Sequence, residues 1–355
     1  MEAASIAEGR TGSQALAKLR ELGSKYGLIA LLAALPLYYL IKDITGSGSL
    51  VSLGNALVAG LSNGAIWALI ALGYTLVYGI IELINFAHGD VFMIGSFVAV
   101  GLFGTFGLTV SSGIPGLILG LLAILLITMV VTGTLNVMIE RVGYRPLRGA
   151  PKLAPLITAV GFSFILQDVG QLWIGGRQDT GVPDLIQGSR VVFDLGGIQF
   201  QQRDALAFIV TIPLVILLTT FITRSRLGKA MRATAQDPEA ARLMGINDDT
   251  TIALTFLLGG LLAGAAGLIY ALYQTQIWFF QGFRAGLIAF TAAVMGGIGN
   301  LRGAVAGGFI IGVIQQLSDS RISASWTPVV VFGYLILIMT FRPRGLFGEE
   351  TREAG

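Results

Sequence analysis

The chain has 355 residues, of which 54% are hydrophobic and only 12% charged, with a formal net charge of +3. That leaves too little polar surface to solvate two or three soluble domains, so a soluble enzyme is excluded and the chain belongs in a bilayer. Cysteine is absent and His88 is the single histidine, which excludes disulfides and thiolate chemistry and leaves no expectation of a metal, a cofactor or a catalytic residue.

Residues 1–26 are polar and basic, and the apolar run 27–41, interrupted by Pro36, reads as a first membrane helix. A cleaved signal peptide is the competing reading; Glu2, Glu8 and Glu21 and the lack of a small-residue cleavage site argue against it. The next run, 54–81, has 28 residues and five glycines, more than a straight crossing needs, so it is predicted to be tilted, kinked or broken. Asn63 and Tyr74 lie within it and must face protein, water or solute; pathway lining and interhelical hydrogen bonding are both open. Between this run and the next, 84–90 carries Asn85, His88 and Asp90 and reads as a turn or broken-helix junction at the cytoplasmic mouth. There Asn85 would stop the helix and Gly89 would permit an unusual backbone. His88 either senses protons, touches solute or satisfies backbone carbonyls.

Further apolar segments follow at 91–106, 114–139, 153–174 and 205–223. In the fourth of these helices after residue 53, Gln167, Asp168 and Gln171 occupy one turn, Asp168 being either a buried acid or, as its closeness to the segment end favours, an interfacial one. The loop after it contains 191–200, two alternating runs about Gly196-Gly197, which predicts a hairpin that seats a soluble partner or packs on its own subunit. The segments 251–274, 285–299, 304–317 and 326–341 complete the set. Glycine crowds 286–312, with Gly303/Gly307 and Gly308/Gly312 forming small-residue faces for an intersubunit or an internal contact, and the pair around Asn300 reads as a tight hairpin or a re-entrant pair.

The fold class is therefore an all-α polytopic membrane protein with about ten membrane segments, some broken or re-entrant. With both termini cytoplasmic, seventeen of the 23 basic residues fall on one side and six on the other, as the charge bias of cytoplasmic loops requires.

The cytoplasmic loop 224–249 holds the most specific local signal. Asp237 is a good N-cap, Pro238 fits the first helical position, Glu239 suits the positive end of the dipole, Ala240 to Met244 form helix, and Gly245 can take the left-handed stop. Leu243 and Met244 remain as apolar knobs. The short helix is shaped for a groove in a soluble partner, or is a capped connector.

The Glu-Ala-Ala, three residues, Gly spacing of Glu239 to Gly245 resembles the loop by which ABC importer permeases engage their ATPases. Ala71-Leu72-Gly73-Tyr74-Thr75-Leu76-Val77-Tyr78-Gly79-Ile80, Ile84-Asn85-Phe86-Ala87-His88-Gly89-Asp90, Tyr144-Arg145-Pro146-Leu147-Arg148 and Arg342-Pro343-Arg344-Gly345-Leu346-Phe347-Gly348 are similar to the LivH-type subunit of branched-chain amino acid ABC importers. The resemblance divides the chain into an N-terminal extension (1–52), a permease domain (53–348) and a short tail (349–355). It implies a non-catalytic pore subunit of the bacterial inner membrane. The implied partners are a second homologous permease, two cytoplasmic ATPases and an extracytoplasmic solute-binding protein, with no nucleic acid. The ATPase-coupling residues would be Arg232, Asp237, Pro238, Glu239, Ala240, Ala241, Leu243, Met244 and Gly245, and the path residues Asn63, Tyr74, Asn85 and His88. Removing Glu239 or enlarging Ala241 is expected to uncouple transport from ATP hydrolysis.

No phosphate loop occurs in the sequence, consistent with the engine lying on another chain. An ion-coupled secondary transporter would need intramembrane ionisable residues, of which the sequence offers almost none, and a membrane-embedded enzyme would need an acid, base or nucleophile constellation that is likewise missing. Branched-chain amino acids, urea, short amides and other amino acids are all solutes of such permeases.

Overall fold

A computed structural model describes residues 33–34, 36–45, 49–110, 113–175 and 179–348. The expected first helix is described only at residues 33–34 and 36–41, and its remainder and the whole of the tail 349–355 lie outside the described residues. The helices are α1 (Leu50–Ile81), α2 (His88–Thr105), α3 (Ile114–Ile139), α4 (Leu153–Trp173), α5 (Gln202–Arg224), α6 (Arg226–Gln236), α7 (Pro238–Leu243), α8 (Asp248–Gln274), α9 (Gln281–Gly296), α10 (Leu301–Arg321) and α11 (Thr327–Phe341). Strand β1 (Asp179–Gly181) pairs antiparallel with β4 (Gln276–Trp278), and β2 (Val191–Leu195) with β3 (Ile198–Gln201).

Among the described residues seven helices are long and apolar enough to cross a bilayer: α1 to α5, α8 and α10, with α3 continuing to Leu147. The apolar α11 and the 16-residue α9 are shorter. The chain is thus a multi-pass helical membrane protein. Its centre is α1 and α8, both largely buried, while α3, α4 and α5 turn leucine, isoleucine and phenylalanine outward, as a lipid-facing surface requires.

Lipid offers no hydrophobic drive for helix association, so close packing of small residues must supply it. In α10, Gly308 lies against the backbone of Ala68 and Gly312 against Gly60 and Gly64 of α1; Gly303 and Gly307 lie against Gly296 and Ala292 of α9. Both small-residue faces therefore serve contacts within the subunit. The α9–α10 connection turns at Gly297 and Gly299, both with positive φ, and Asn300 caps α10 by accepting from the Gly303 N–H at 3.0 Å. The terminal Arg-Pro-Arg-Gly-Leu-Phe-Gly motif folds onto this turn. Leu346 N–H donates to the Met295 carbonyl at 2.8 Å, Phe347 N–H to Gly296 at 3.1 Å, and the Asn300 amide to the Phe347 carbonyl at 2.9 Å.

The run 54–81 forms one continuous 32-residue helix rather than a broken one. Gly60 and Gly64 are points of close approach by α10 and Gly73 by His88, and the continuous backbone ladder satisfies the interior peptide groups where lipid cannot. The helix stops at Glu82, which takes the left-handed conformation (φ 51°), not at Asn85. Residues 83–86 then run back into the bundle. His88 packs against Gly73, eight residues or about 12 Å before the end of α1, so α2 starts inside the bundle instead of at its mouth. Gly89 is helical; it permits the close passage of Gly282 and Gly286, not an unusual backbone.

At one end of the bundle the hairpin sits on the start of α1: the Asn55 side chain donates to the Gly197 carbonyl at 3.1 Å and accepts from Gln199 N–H at 2.7 Å. Gly196 and Gly197, with φ 62° and 94°, make the turn that the sequence predicted. Strand β3 packs on this subunit, whereas every residue of β2 is exposed.

The N-terminal segment reaches the same end. Asp43, wholly buried, pairs with Arg321 at 2.9 Å, and the Arg321 guanidinium also lies 5.7 Å from the centre of the Tyr39 ring. Replacing Asp43 by alanine leaves this largely buried guanidinium unpaired and is expected to cost on the order of 3 kcal/mol. The thermal unfolding midpoint of the purified full chain will fall, and Asp43→Asn will recover part of the loss; equal midpoints for wild type and Asp43→Ala would show the pair to be idle.

Candidate functional site

At the opposite end of the bundle, α6, α7 and the start of α8 form the loop singled out in the sequence. Ser225 caps α6 through the Gly228 N–H at 2.8 Å. Asp237 caps α7, accepting from the Ala240 N–H at 2.9 Å, Pro238 occupies the first helical position, and Gly245 takes φ 81° at the stop. Asn247 caps α8 through the Thr250 N–H at 3.0 Å. Three caps in about 22 residues fix the path of a loop that has little apolar core of its own.

The two knobs are where the sequence placed them: Leu243 is 89% exposed and Met244 83%. Glu239 is exposed beside them. Ala241 is only 4% exposed and faces its own chain, so enlarging it would unseat α7 before it touched any partner. The Arg242 guanidinium pairs with Asp248, and the Arg232 guanidinium donates to the Ile222 carbonyl, so both arginines brace the loop from within.

Beside this loop lies an ionic cluster that periodicity did not reveal. Arg145 and Arg148 both pair with Asp249, and Arg148 also pairs with Glu140, whose side chain is fully buried. Glu140 opens a five-residue π-helical turn, Glu140–Tyr144, that widens the end of α3. The Tyr144 hydroxyl reaches the Ile84 carbonyl at 3.4 Å, and Lys152 pairs with Glu82 at 3.1 Å. The Tyr-Arg-Pro-Leu-Arg motif thus ties the segment after α1 and the end of α3 to the first turn of α8, the helix entered directly from α7.

The expected path residues do not form one cluster. Tyr74 and His88 meet edge to face at 4.9 Å between ring centres, and Tyr74 also contacts Phe290 at 6.1 Å. Asn85 donates to the Asn136 side chain at 3.4 Å, and Asn136 donates to the Phe256 carbonyl at 2.6 Å, stitching the 83–86 segment to α3 and α8. Asn63 donates to Gln316 of α10 at 3.1 Å, about 16 Å along α1 from Tyr74. Tyr74 lines a narrow crevice shared with Tyr78, Ile84 and Phe290.

Asp168 and Gln171 are exposed on α4, while Gln167 turns inward. The acid that α4 meets in the interior is Asp90, in the first turn of α2, which accepts from the Ser163 hydroxyl, and Ser163 in turn accepts from Gln167 at 3.0 Å. Ser163 lies ten residues, about 15 Å, into α4, which again sets the start of α2 inside the bundle. From sequence, Asp90 looked like an edge residue. The signal that could have found it is the acid at a helix N-terminus within an apolar stretch, where backbone N–H groups and the dipole favour negative charge.

The described residues thus build a multi-pass helical membrane bundle with a capped helix protruding at one end. Residues 56–340 match the family described as the branched-chain amino acid transport system / permease component, and the chain belongs to that family. It is 43% identical over 299 residues to the high-affinity branched-chain amino acid transport system permease protein BraD of Pseudomonas aeruginosa, covering 84% of this chain and 96% of that protein. It is 42% identical over 304 residues to the corresponding permease protein LivH of Escherichia coli K12, covering 83% and 95%. The probable branched-chain amino acid transport permease protein LivH of Methanocaldococcus jannaschii is 29% identical over 299 residues, covering 80% and 89%. No solved structure matches the chain at a significant level.

Proposed function

We propose that residues 53–348 form the permease domain of an ABC importer for branched-chain amino acids in a bacterial-type inner membrane. In this reading the end carrying α6 and α7 is cytoplasmic. A second homologous permease completes the pore, two ATPases bind at α7, and a solute-binding protein delivers solute at the hairpin end. The observation that carries it is the pair of exposed apolar knobs, Leu243 and Met244, on a rigidly capped helix in a chain of this family. Nucleotide-driven movement of α7 would pass through Arg242–Asp248 and the Arg145/Arg148–Asp249 cluster to α3 and α8, shifting the balance between outward-open and inward-open arrangements.

Tyr74 and His88 are retained as residues near the path, and Asn63 and Asn85 are assigned to helix packing because their amide NH2 groups donate to Gln316 and Asn136. The test is uptake by proteoliposomes holding the chain with its second permease and ATPases, supplied with the binding protein. ATP-dependent accumulation of leucine is expected. Accumulation by the chain alone under an ion gradient, or uptake of urea or short amides in place of leucine, would overturn the reading.

A further inference from the structure

Two cavities lie in line along the groove between α9 and α11. The outer one, about 340 Å³, is lined by Arg284, Leu287 and Ile288 of α9, by Val331 and Phe332 of α11, and by Trp278. The inner one, about 480 Å³, continues along the same pair of helices with Phe290, Val294, Leu335 and Met339 and ends near Arg344. Positions 284, 287, 290 and 294 of α9 and 328, 331, 335 and 339 of α11 advance in steps of three or four, so each helix gives one face to the groove.

Arg284 is the informative member of the outer cavity. It is an exposed residue of the lining whose guanidinium has no hydrogen-bond or ion-pair partner among the described residues; its charge acts on Tyr270, and its five N–H donors stand beside an otherwise mostly aliphatic and aromatic wall. The two half-buried arginines of this end, by contrast, are engaged, Arg321 by Asp43 and Arg203 by the Tyr273 ring at 5.4 Å. A guanidinium facing an apolar chamber is matched by a small planar anion that carries a hydrocarbon group: it can take a carboxylate through two parallel N–H···O bonds while the hydrocarbon covers the wall. The volume is near the lower end of the roughly 300–1,000 Å³ found for small-molecule sites, which suits a single amino acid and not a peptide.

We propose that the outer α9–α11 chamber is a solute-binding site for an aliphatic α-amino acid, Arg284 holding the carboxylate and Leu287, Ile288, Val331 and Phe332 receiving the side chain. This rests on the transport reading above and adds to it a recognition point within the permease itself, distinct from the binding protein.

The experiment uses the full chain in phosphatidylcholine nanodiscs, with saturation-transfer NMR of millimolar L-leucine and, in parallel, of leucinamide, which has the same side chain without the carboxylate. A leucine methyl signal is expected in the wild type. A signal lower by about tenfold, the worth of a charge-assisted bidentate pair, is expected for leucinamide, for Arg284→Gln and for Ser325→Trp, with Arg284→Lys intermediate. Ser325 is an exposed lining residue, so Ser325→Trp plugs the chamber with the guanidinium intact and carries the test if Arg284→Gln fails to reach the membrane. Equal signals for leucine and leucinamide, or no leucine signal in the wild type, would overturn the proposal. So would a leucine signal lost only when anionic lipid is added, which would mark the site as one for lipid phosphate. ATP-driven leucine uptake by the whole transporter separates the two levels. Uptake present and unaltered by Arg284→Gln sinks this site alone, whereas absence of uptake in the wild type sinks the transport reading.

Discussion

Leu243→Asp combined with Met244→Asp will reduce ATP-driven solute uptake by on the order of 100-fold while leaving the chain folded and inserted. Both side chains are more than 80% exposed, so the subunit itself spends nothing on them. Burying a leucine or methionine in a partner groove contributes roughly 1.5–3 kcal/mol each, and an aspartate forced into the same groove adds a desolvation penalty. Two such losses exceed the ~2.8 kcal/mol that corresponds to 100-fold in an equilibrium constant. Co-purification of the ATPases with the permease is the direct measurement, and uptake the functional one. Retention of both in the double variant would show α7 to be a connector. Ala241→Leu is a poorer probe than the sequence suggested, because its 4% exposure makes any effect one of local packing. Glu239→Gln keeps the helix and removes only charge, and is the cleaner companion variant.

The second large effect concerns assembly of the bundle itself. Gly312→Leu will prevent accumulation of stable protein, because a Cβ at this position would run into the backbone of both Gly60 and Gly64 of α1. A clash against backbone cannot be relieved by a rotamer change, so the cost lies at or above the upper end of the roughly 1–3 kcal/mol usual for overpacking. The α1–α10 contact is a central one, and losing it would also separate Asn63 from Gln316. Gly333→Leu in α11 is the control, since nothing lies within reach of a Cβ there. Size-exclusion profiles and membrane yields of the two variants compare them directly; equal yields would show that α10 can shift away from α1 at little cost.

These variants also mark what one-dimensional reading can reach. The apolar helices from 54 to 341 were legible because length and apolar content in lipid are local properties, and α7 because N-cap, proline and glycine stop all lie within nine residues, whereas the polar α6 was not read as a helix. The exposure of Leu243 and Met244 followed from the same local argument. Asp90 was misjudged as an edge residue because its depth depends on where residues 82–87 re-enter the bundle, which rests on the left-handed stop at Glu82 and the fit of His88 beside Gly73. Asn85 and Asn63 were read as path candidates because a polar residue in an apolar run announces a partner without naming it; Asn136 and Gln316 are 51 and 253 positions away.

Composition and pattern by themselves determined that this protein is a multi-pass helical membrane protein with a capped helix protruding at its basic end, because burial in lipid and helix capping act over one or a few turns. Only the tertiary structure decided that the late glycines bind α10 to α1 and α9 within one subunit, that four charged residues from the π turn, the segment just after it and α8 form one cluster, and that the exposed guanidinium of Arg284 lines a groove between α9 and α11. Each of those depends on which faces meet across helices far apart in the chain, and the geometry of that meeting is set by packing of whole surfaces.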